Sequence, residues 1–386
     1  MITSAFGVLT VLVAVCAFFF WIAKKTGWKL FDYIIPLIWI YATPLVLRNT
    51  GVLPAESPVY SVMGTYALPV IIVLLLISVN VGAAVRIMGK GIGVMLLGTA
   101  GIVIGAPIAY FIVHRWLDPE AWRGFGMLAG SWIGGTGNML AAGQALETPP
   151  EMEGLAILAD TAIYVFWLPL LLGSKSFADR FNRWTGVDEA RIAAMDAAAE
   201  AELEEEKPAA MVHYLYLGVL SLLATWVAIE GSAVLPEVGE IISTSTWKVL
   251  IVTTLGIALS FTAARRIPGS HNLAMAILYV FVARMGAQAS LDGLAQAPVF
   301  LLGAAIWIII HGLFCLAGAY LLKVDVHSAA IASAANVGGA ASAPVVAAHH
   351  RESLVPVSIL MALLGYAMGN YLAILTGQLC RLVGGG

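Results

Sequence analysis

Apolar residues run along this chain in long blocks rather than in the short alternation of strands. Blocks such as Leu68 to Ala84, Leu96 to Val113 and Phe300 to Leu322 are long enough to cross a hydrocarbon layer of about 30 Å as helices. Backbone polar groups in lipid must be bonded internally, so these blocks are helices unless they close a barrel, and the alternating strands of a barrel are missing from the pattern. A dozen segments follow. The first six fall near 5–23, 33–48, 67–85, 92–114, 124–147 and 153–172, and the second six near 211–229, 247–264, 272–290, 298–322, 327–349 and 354–379. The expected fold is an all-α polytopic membrane protein.

The blocks divide the chain into a first membrane repeat at 1–173, a polar linker at 174–210 and a second membrane repeat at 211–386. The linker carries Arg180, Arg183, Arg191 and the acidic run Glu200 to Glu206, and its Ala-rich middle, Asp188 to Glu206, is predicted to be a solvated helix. Sliding the chain against itself so that Gly82-Ala83 falls on Gly286-Ala287 also brings Gly134-Gly135 onto Gly338-Gly339. The hydrophobic segments stay in step around these matches, which points to an ancient duplication of the kind common in secondary transporters.

Composition agrees with burial in lipid. The chain is 386 residues long, 60% hydrophobic and 11% charged, with mean hydropathy +0.91, more apolar surface than one soluble core can hide. A net charge of −3 without a basic stripe excludes nucleic acid as a partner. Cys16, Cys315 and Cys380 stand alone in apolar segments, without the paired spacing of a metal or redox motif. Met1 to Phe6 has no cation, and Lys24, Lys25 and Lys29 follow the first apolar run. That order predicts a first membrane helix with its N-terminus outside rather than a signal peptide.

Charge then creates a conflict. Lys24, Lys25, Lys29, Arg86, Lys90, the linker arginines and Arg265-Arg266 all mark cytoplasmic loops, yet six full crossings from an external N-terminus would leave the linker outside. One segment between 115 and 173 is therefore expected not to cross, and the Gly-rich one at 124–147 is the candidate. An odd number of crossings makes the halves inverted repeats. Six crossings per half with parallel repeats is the alternative.

The chemistry concentrates at the two Gly-Gly segments. The first reads Ala129-Gly-Ser-Trp-Ile-Gly-Gly-Thr-Gly-Asn138 and the second Ala332-Ser-Ala-Ala-Asn-Val-Gly-Gly-Ala-Ala-Ser-Ala-Pro344. Gly134, Gly135 and Gly137, like Gly338 and Gly339, invite a break in the helix. A break exposes half-helix ends that bind ions, N-terminal ends favouring anions and free carbonyls favouring cations. Ser131, Thr136, Asn138, Asn336 and Ser342 are candidate oxygen ligands for Na⁺ or a polar substrate. The other reading of these segments is close packing of small residues with polar glue.

A charge inside lipid costs at least about 3 kcal/mol, which makes each such residue a candidate. Asp160, in Leu158-Ala-Asp-Thr-Ala162, could help bind a cation or take up a proton. Its repeat equivalent is Leu364. Arg284, the equivalent of Asn80, could hold an anionic substrate, neutralise Asp160 or reach the interface. His311 is read first as a hydrogen-bonded packing residue and second as a proton relay. His349-His350 is read as an interfacial polar cluster, and Asn370 as a packing amide. No catalytic pair or metal-protease motif appears, so an enzyme is not expected.

Several stretches, Glu56-Ser-Pro-Val-Tyr60, Gly130-Ser-Trp-Ile-Gly-Gly-Thr-Gly-Asn138, Ala159-Asp160, Ala335-Asn-Val-Gly-Gly339 and Leu364-Gly-Tyr-Ala-Met-Gly-Asn-Tyr371, give the chain a resemblance to the YjcL-type family of bacterial and plastid membrane proteins. That family is grouped with cation/proton antiporters and anion symporters. The resemblance implies a multi-pass protein of the bacterial inner membrane with two inverted repeats, a scaffold domain and an elevator-like core domain holding two crossed broken helices. It also implies a homodimer through the scaffolds. Thr161 stands where many relatives carry Asn, and Asn80 where an acidic residue is common. The expected function is secondary active transport of a small polar, anionic solute coupled to Na⁺ or H⁺, with no other cofactor. The alternatives are a monovalent cation/proton antiporter without organic substrate and a non-transporting sensor or assembly factor.

Overall fold

The computed structural model describes residues 2, 4–27, 36–79, 89–187, 208–238, 243–288, 295–351 and 354–385. Asn80, Arg86, Lys29, Glu352 and the predicted linker helix at 188–206 lie outside these. The described residues are almost entirely helical. In the first half they form α1 (Ala5–Thr26), α2 (Pro36–Asn49), α3 (Pro58–Leu76), α4 (Lys90–Val113), α5 (Ala121–Ala145) and α6 (Pro150–Gly173). A short α7 (Ala178–Thr185) follows in the linker. The second half holds α8 (Met211–Val234), α9 (Thr244–Ser260), α10 (Ser270–Gln288), α11 (Ala297–Leu322), α12 (Val326–Val337), α13 (Gly339–His350) and α14 (Val355–Gly384). Among the described residues seven helices are by themselves long and apolar enough to cross a membrane. The chain is an all-α polytopic membrane protein.

Local sequence sets the ends of these helices. Ser4 caps α1, its hydroxyl accepting from Gly7 N at 3.1 Å, and Gly27 closes the same helix in the left-handed conformation. Asp325 caps α12, accepting from His327 N at 2.9 Å and Ser328 N at 3.0 Å. The third segment starts at Pro58 rather than near 67, because a π-helical turn at Met63–Ala67 carries the helix through small and polar residues that a hydropathy window passes over.

Packing sorts the helices into two groups. α3 lies against α8, α9 and α10, while α10 lies against α1, α2 and α3. The second group is built on α4 against α11 and α5 against α14. Glycines make the α4–α11 contact close: side chains on Gly98, Gly101 or Gly105 would run into His311, Phe314 or Trp307, and Trp307 Nε1 donates to Ile102 O at 2.8 Å.

The Gly-Gly segments are where the structure departs most from a set of straight spans. A straight helix would hold Gly126 and Leu146 about 30 Å apart, yet the Leu146 side chain fills the space at Gly126, and Met127 Sδ lies beside Gly143. Arg123 Nη1 donates to Leu146 O at 2.7 Å and Glu147 O at 3.0 Å, clamping the two ends together. α5 is therefore a re-entrant hairpin whose arms meet at Gly134-Gly135. The pair α12–α13 does the same: His327 Nδ1 and His350 Nδ1 are 2.9 Å apart, where a continuous helix would separate them by about 35 Å. The resemblance implied two crossed broken helices. Each break instead reverses the chain, and the two hairpins meet at their tips, where a methyl on Gly339 would sit 3.4 Å from Gly135 Cα.

Contacts at the hairpin bases define the two faces of the molecule. On the face where hairpin 1 opens, Asp118 N donates to Gln296 Oε1 at 2.7 Å and Thr246 Oγ1 to Ala145 O at 2.7 Å. On the face where hairpin 2 opens, Lys175 Nζ donates to His349 O at 2.6 Å and Val326 N to Asn182 Oδ1 at 3.0 Å. A cysteine placed at Asp118 or at Glu147 should react with a membrane-impermeant maleimide from the same side of the membrane, and one at Lys323 from the opposite side. Labelling of 118 and 147 from opposite sides would restore α5 as a plain span.

Candidate functional site

The site forms around the two hairpin tips, and it exists because both tips have the same backbone solution. Gly134 (φ −142°, ψ 16°) is followed by Gly135 (φ 75°, ψ −176°), and Gly338 (φ −124°, ψ −8°) by Gly339 (φ 59°). The second glycine of each pair occupies a conformation that an L-side chain strains to adopt, and that residue turns the chain back. Tyr366 of α14 covers both: its Cε1 lies 3.1 Å from a methyl built on Gly135 and 3.5 Å from one built on Gly339.

Several expected ligands come together here. Asp160 of α6 accepts from Trp132 Nε1 at 3.1 Å, and Ser131 lies beside its carboxylate. One helical turn on, Tyr164 hydrogen-bonds Ser342 and packs at Gly338. Ser131, Asp160, Tyr164 and Ser342 thus place oxygen atoms near one another between hairpin 1, α6 and hairpin 2. Thr136 is half-buried just past the first tip, and Gly137 admits the Leu75 side chain of α3.

Other expected ligands are placed elsewhere. Asn138 is buried and donates to Tyr366 O at 2.9 Å, so its amide ties hairpin 1 to α14. Glycines at 134, 365 and 369 make room for that tie: a methyl on Gly134 or Gly369 would collide with the Asn138 amide, and one on Gly365 with Ile133 O. Asn336 is likewise buried. Its amide oxygen accepts from Thr99 Oγ1 at 2.8 Å while its nitrogen donates to Met95 O at 3.0 Å and Ala332 O at 3.3 Å. Both amides are used in holding the hairpins to long helices, because a buried polar side chain must find partners where it packs.

Arg284 also departs from expectation. Its guanidinium sits over the Phe281 ring at 4.9 Å and in the space at Gly64, where the π-helical turn of α3 lacks a side chain. The carboxylate that acts on it is Glu153, at the start of α6, rather than Asp160. His311 has the packing role: Nδ1 lies 2.9 Å from Gly98 O and Nε2 2.9 Å from Ser333 Oγ. His350 bonds His327 and Leu171 O, and Asn370 donates to Thr253 Oγ1 of α9 at 2.7 Å. Among the described residues no three His, Cys, Asp or Glu side chains converge as a metal would need.

Sequence reasoning missed Trp132, Tyr164 and Tyr366. The signal for Tyr164 was its place four residues after Asp160, on the same helix face. Tyr366 stood inside a quoted motif, masked by the more polar Asn370.

The chemistry of the line is that of hard donors. One carboxylate and three hydroxyls suit a partly dehydrated cation or a proton, and the N-termini of the two second arms face the same point with positive dipole ends.

These features define a multi-pass protein of the bacterial inner membrane with two re-entrant hairpins joined at their tips. The chain matches, over residues 10–383, the family described as protein of unknown function (DUF819), and belongs to it. It is similar to the uncharacterized membrane protein YjcL of Bacillus subtilis (strain 168), with 26% identity over 348 residues covering 87% of each chain.

Gly135→Ala should lower stability by about 1–3 kcal/mol through backbone strain. Asn138→Ala should do so by about 1–3 kcal/mol by removing the buried amide bond that ties hairpin 1 to α14. Thermal unfolding of the purified protein in detergent measures both, and a wild-type melting profile in either variant would contradict the hairpin geometry.

Proposed function

We propose that this protein is a secondary active transporter of a small polar, anionic solute, coupled to Na⁺ or H⁺. The observation that carries the reading is the meeting of two re-entrant tips, Gly134-Gly135 and Gly338-Gly339, beside the single carboxylate Asp160. Non-helical backbone at membrane depth is tolerated where it is buried in protein or lines a solute path, and tips that approach from opposite faces can expose one point to each side in turn.

Supporting this, among the described residues each half contains five other helices and one hairpin. A hairpin leaves by the face it entered, so an odd number of crossings separates equivalent points, which makes the halves inverted repeats. The packing has the exchange symmetry such repeats require: α2 lies on α10 as α3 lies on α9, α1 on α10 as α3 on α8, and α4 on its own equivalent α11. With an external N-terminus this count puts Lys24, Lys25, Lys90, the linker and Arg265-Arg266 on the cytoplasmic face, which removes the conflict among the positive loops. α1–α3 with α8–α10 would be the scaffold, through which a homodimer would form. α4–α6 with α11–α14 would be the moving core.

In this mechanism Asp160, Ser131, Ser342 and Tyr164 bind the coupling ion, and the N-terminal ends of the second arms cradle the anion. Thr136 and Gly137 line the path next to the first tip. Asn138 and Asn336 position the hairpins. Glu153 acts on Arg284 across the contact of scaffold and core.

The site is tested by ligand-induced thermal stabilisation of the purified protein against a panel of anionic metabolites, with and without Na⁺. An anion should raise the melting temperature more in Na⁺ than in its absence, and Asp160→Asn should abolish that difference while the variant still folds. An unchanged Na⁺ effect in Asp160→Asn would remove the carboxylate from the site. The lone carboxylate among hydroxyls also suits a cation/proton antiporter. Proton flux in reconstituted vesicles driven by Na⁺ or K⁺ alone, with no organic anion present, would favour that reading.

A further inference from the structure

At the face where α6 ends, the chain turns along the protein. A 3-10 turn at Ser174–Phe177 leads into α7, and the segment is fastened at several points to the base of hairpin 2. Lys175 Nζ donates to His349 O at 2.6 Å, Asn182 Oδ1 accepts from Val326 N at 3.0 Å, and Trp184 lies 5.0 Å from the Tyr320 ring of α11. Between turn and hairpin lies an open cleft of about 460 Å³ lined by Leu172, Gly173, Lys175, Ser176 and His349.

The cleft is cationic and sits at the membrane boundary. Lys175, Arg180 and Arg183 outnumber the one carboxylate of residues 174–185, Asp179, and Lys175 and Arg351 lie close enough to act on His327. The other carboxylate close by, Asp325, is engaged in capping α12. An ammonium has three donors, and the bond to His349 O uses one. Beside the cleft, Phe166 is 77% and Phe177 64% exposed, with Trp184 at the end of α7. Aromatic side chains with basic neighbours at the end of a span are the pattern of the headgroup layer.

We propose that this cleft binds the phosphate of an anionic phospholipid headgroup. Lys175 and His349 hold the phosphate beside Ser176, whose hydroxyl donates to Gly173 O, while the acyl chains lie along the apolar outer face of α6 at Phe166 and Leu170. A free phosphate would meet the same donors, but exposed aromatic and aliphatic side chains continuing from the cleft along a span favour a ligand with a lipid tail. Because Lys175 and His349 come from the linker and from hairpin 2, a bound lipid would fasten hairpin 2 to the end of α6. The proposal stands independently of what the hairpin tips bind.

The test is native mass spectrometry of the full chain from micelles containing equal phosphatidylglycerol and phosphatidylcholine, with melting temperature as a check on folding. Wild type should retain phosphatidylglycerol in preference to phosphatidylcholine. Lys175→Gln should weaken that preference about five-fold, as the loss of about 1 kcal/mol per cation implies, whereas Lys175→Arg should keep it. Ser176→Asp adds a repelling charge on an exposed turn without touching the Lys175–His349 bond, and it should lower retention even if Lys175→Gln fails to fold. Equal retention of the two lipids, or undiminished preference in Ser176→Asp, would overturn the proposal. So would inorganic phosphate that displaces phosphatidylglycerol at equal concentration, since the occupant would then be a free anion.

Discussion

Everything at the centre of this molecule depends on one constraint: a chain that reverses in the middle of a membrane has backbone groups that neither the helix nor lipid can satisfy. Here the two reversals cover each other. Gly135 and Gly339 touch, and the Tyr366 ring lies against both. Neither tip could be buried this way if its second glycine bore a side chain, because the turn itself needs a positive φ there. The same absence of side chains that allows the turns also lets the tips approach. A point where two helix N-termini converge follows from burying the breaks together, and polar chemistry at membrane depth follows from that.

The two hairpins are not held alike, and the difference can be traced to a few positions. Hairpin 1 lies along α14 far more extensively than hairpin 2 lies along α6. α14 presents Gly365 and Gly369 to hairpin 1, and both positions are filled by parts of hairpin 1. The equivalent residues of α6 are Thr161 and Val165, whose side chains keep hairpin 2 further off. Into the looser side project Asp160 and Tyr164, the equivalents of Leu364 and Met368. One half supplies close packing and the other the polar side chains, so the candidate site has one charge instead of two opposed ones.

Contacts between the two groups of helices include more isolated polar ones than those within the second group. Inside the α4–α11 and α5–α14 pairs, glycines and aromatic rings interlock. Across the boundary, Asn370 meets Thr253, Thr246 meets the Ala145 carbonyl, and the Leu75 side chain fills the space at Gly137. Isolated polar contacts of this kind can be exchanged for others when two bodies shift, whereas interlocked side chains resist a shift because close-packed interiors do not deform continuously. On the transport reading, the boundary with exchangeable contacts is the surface that slides.

The sequence by itself determined the class of protein, the positions of the helices, the two Gly-Gly breaks and the isolation of Asp160. Each of these depends on local physics: transfer of apolar runs to lipid, glycine's backbone freedom, and the cost of a charge among apolar neighbours. The charge conflict among the loops also pointed to 124–147 as the segment that fails to cross, since loop charge records which side each loop is on. Only the tertiary structure decided that each break reverses the chain, because the sign of φ at one glycine is not written in the residue's identity. It also decided that Asn138 and Asn336 hold helices together, that Glu153 rather than Asp160 acts on Arg284, and that Tyr164 and Tyr366 stand beside the two tips. A polar side chain's role depends on which partners packing brings within hydrogen-bond reach, and those partners, Tyr366 O for Asn138 and Thr99 for Asn336, lie more than two hundred residues away along the chain.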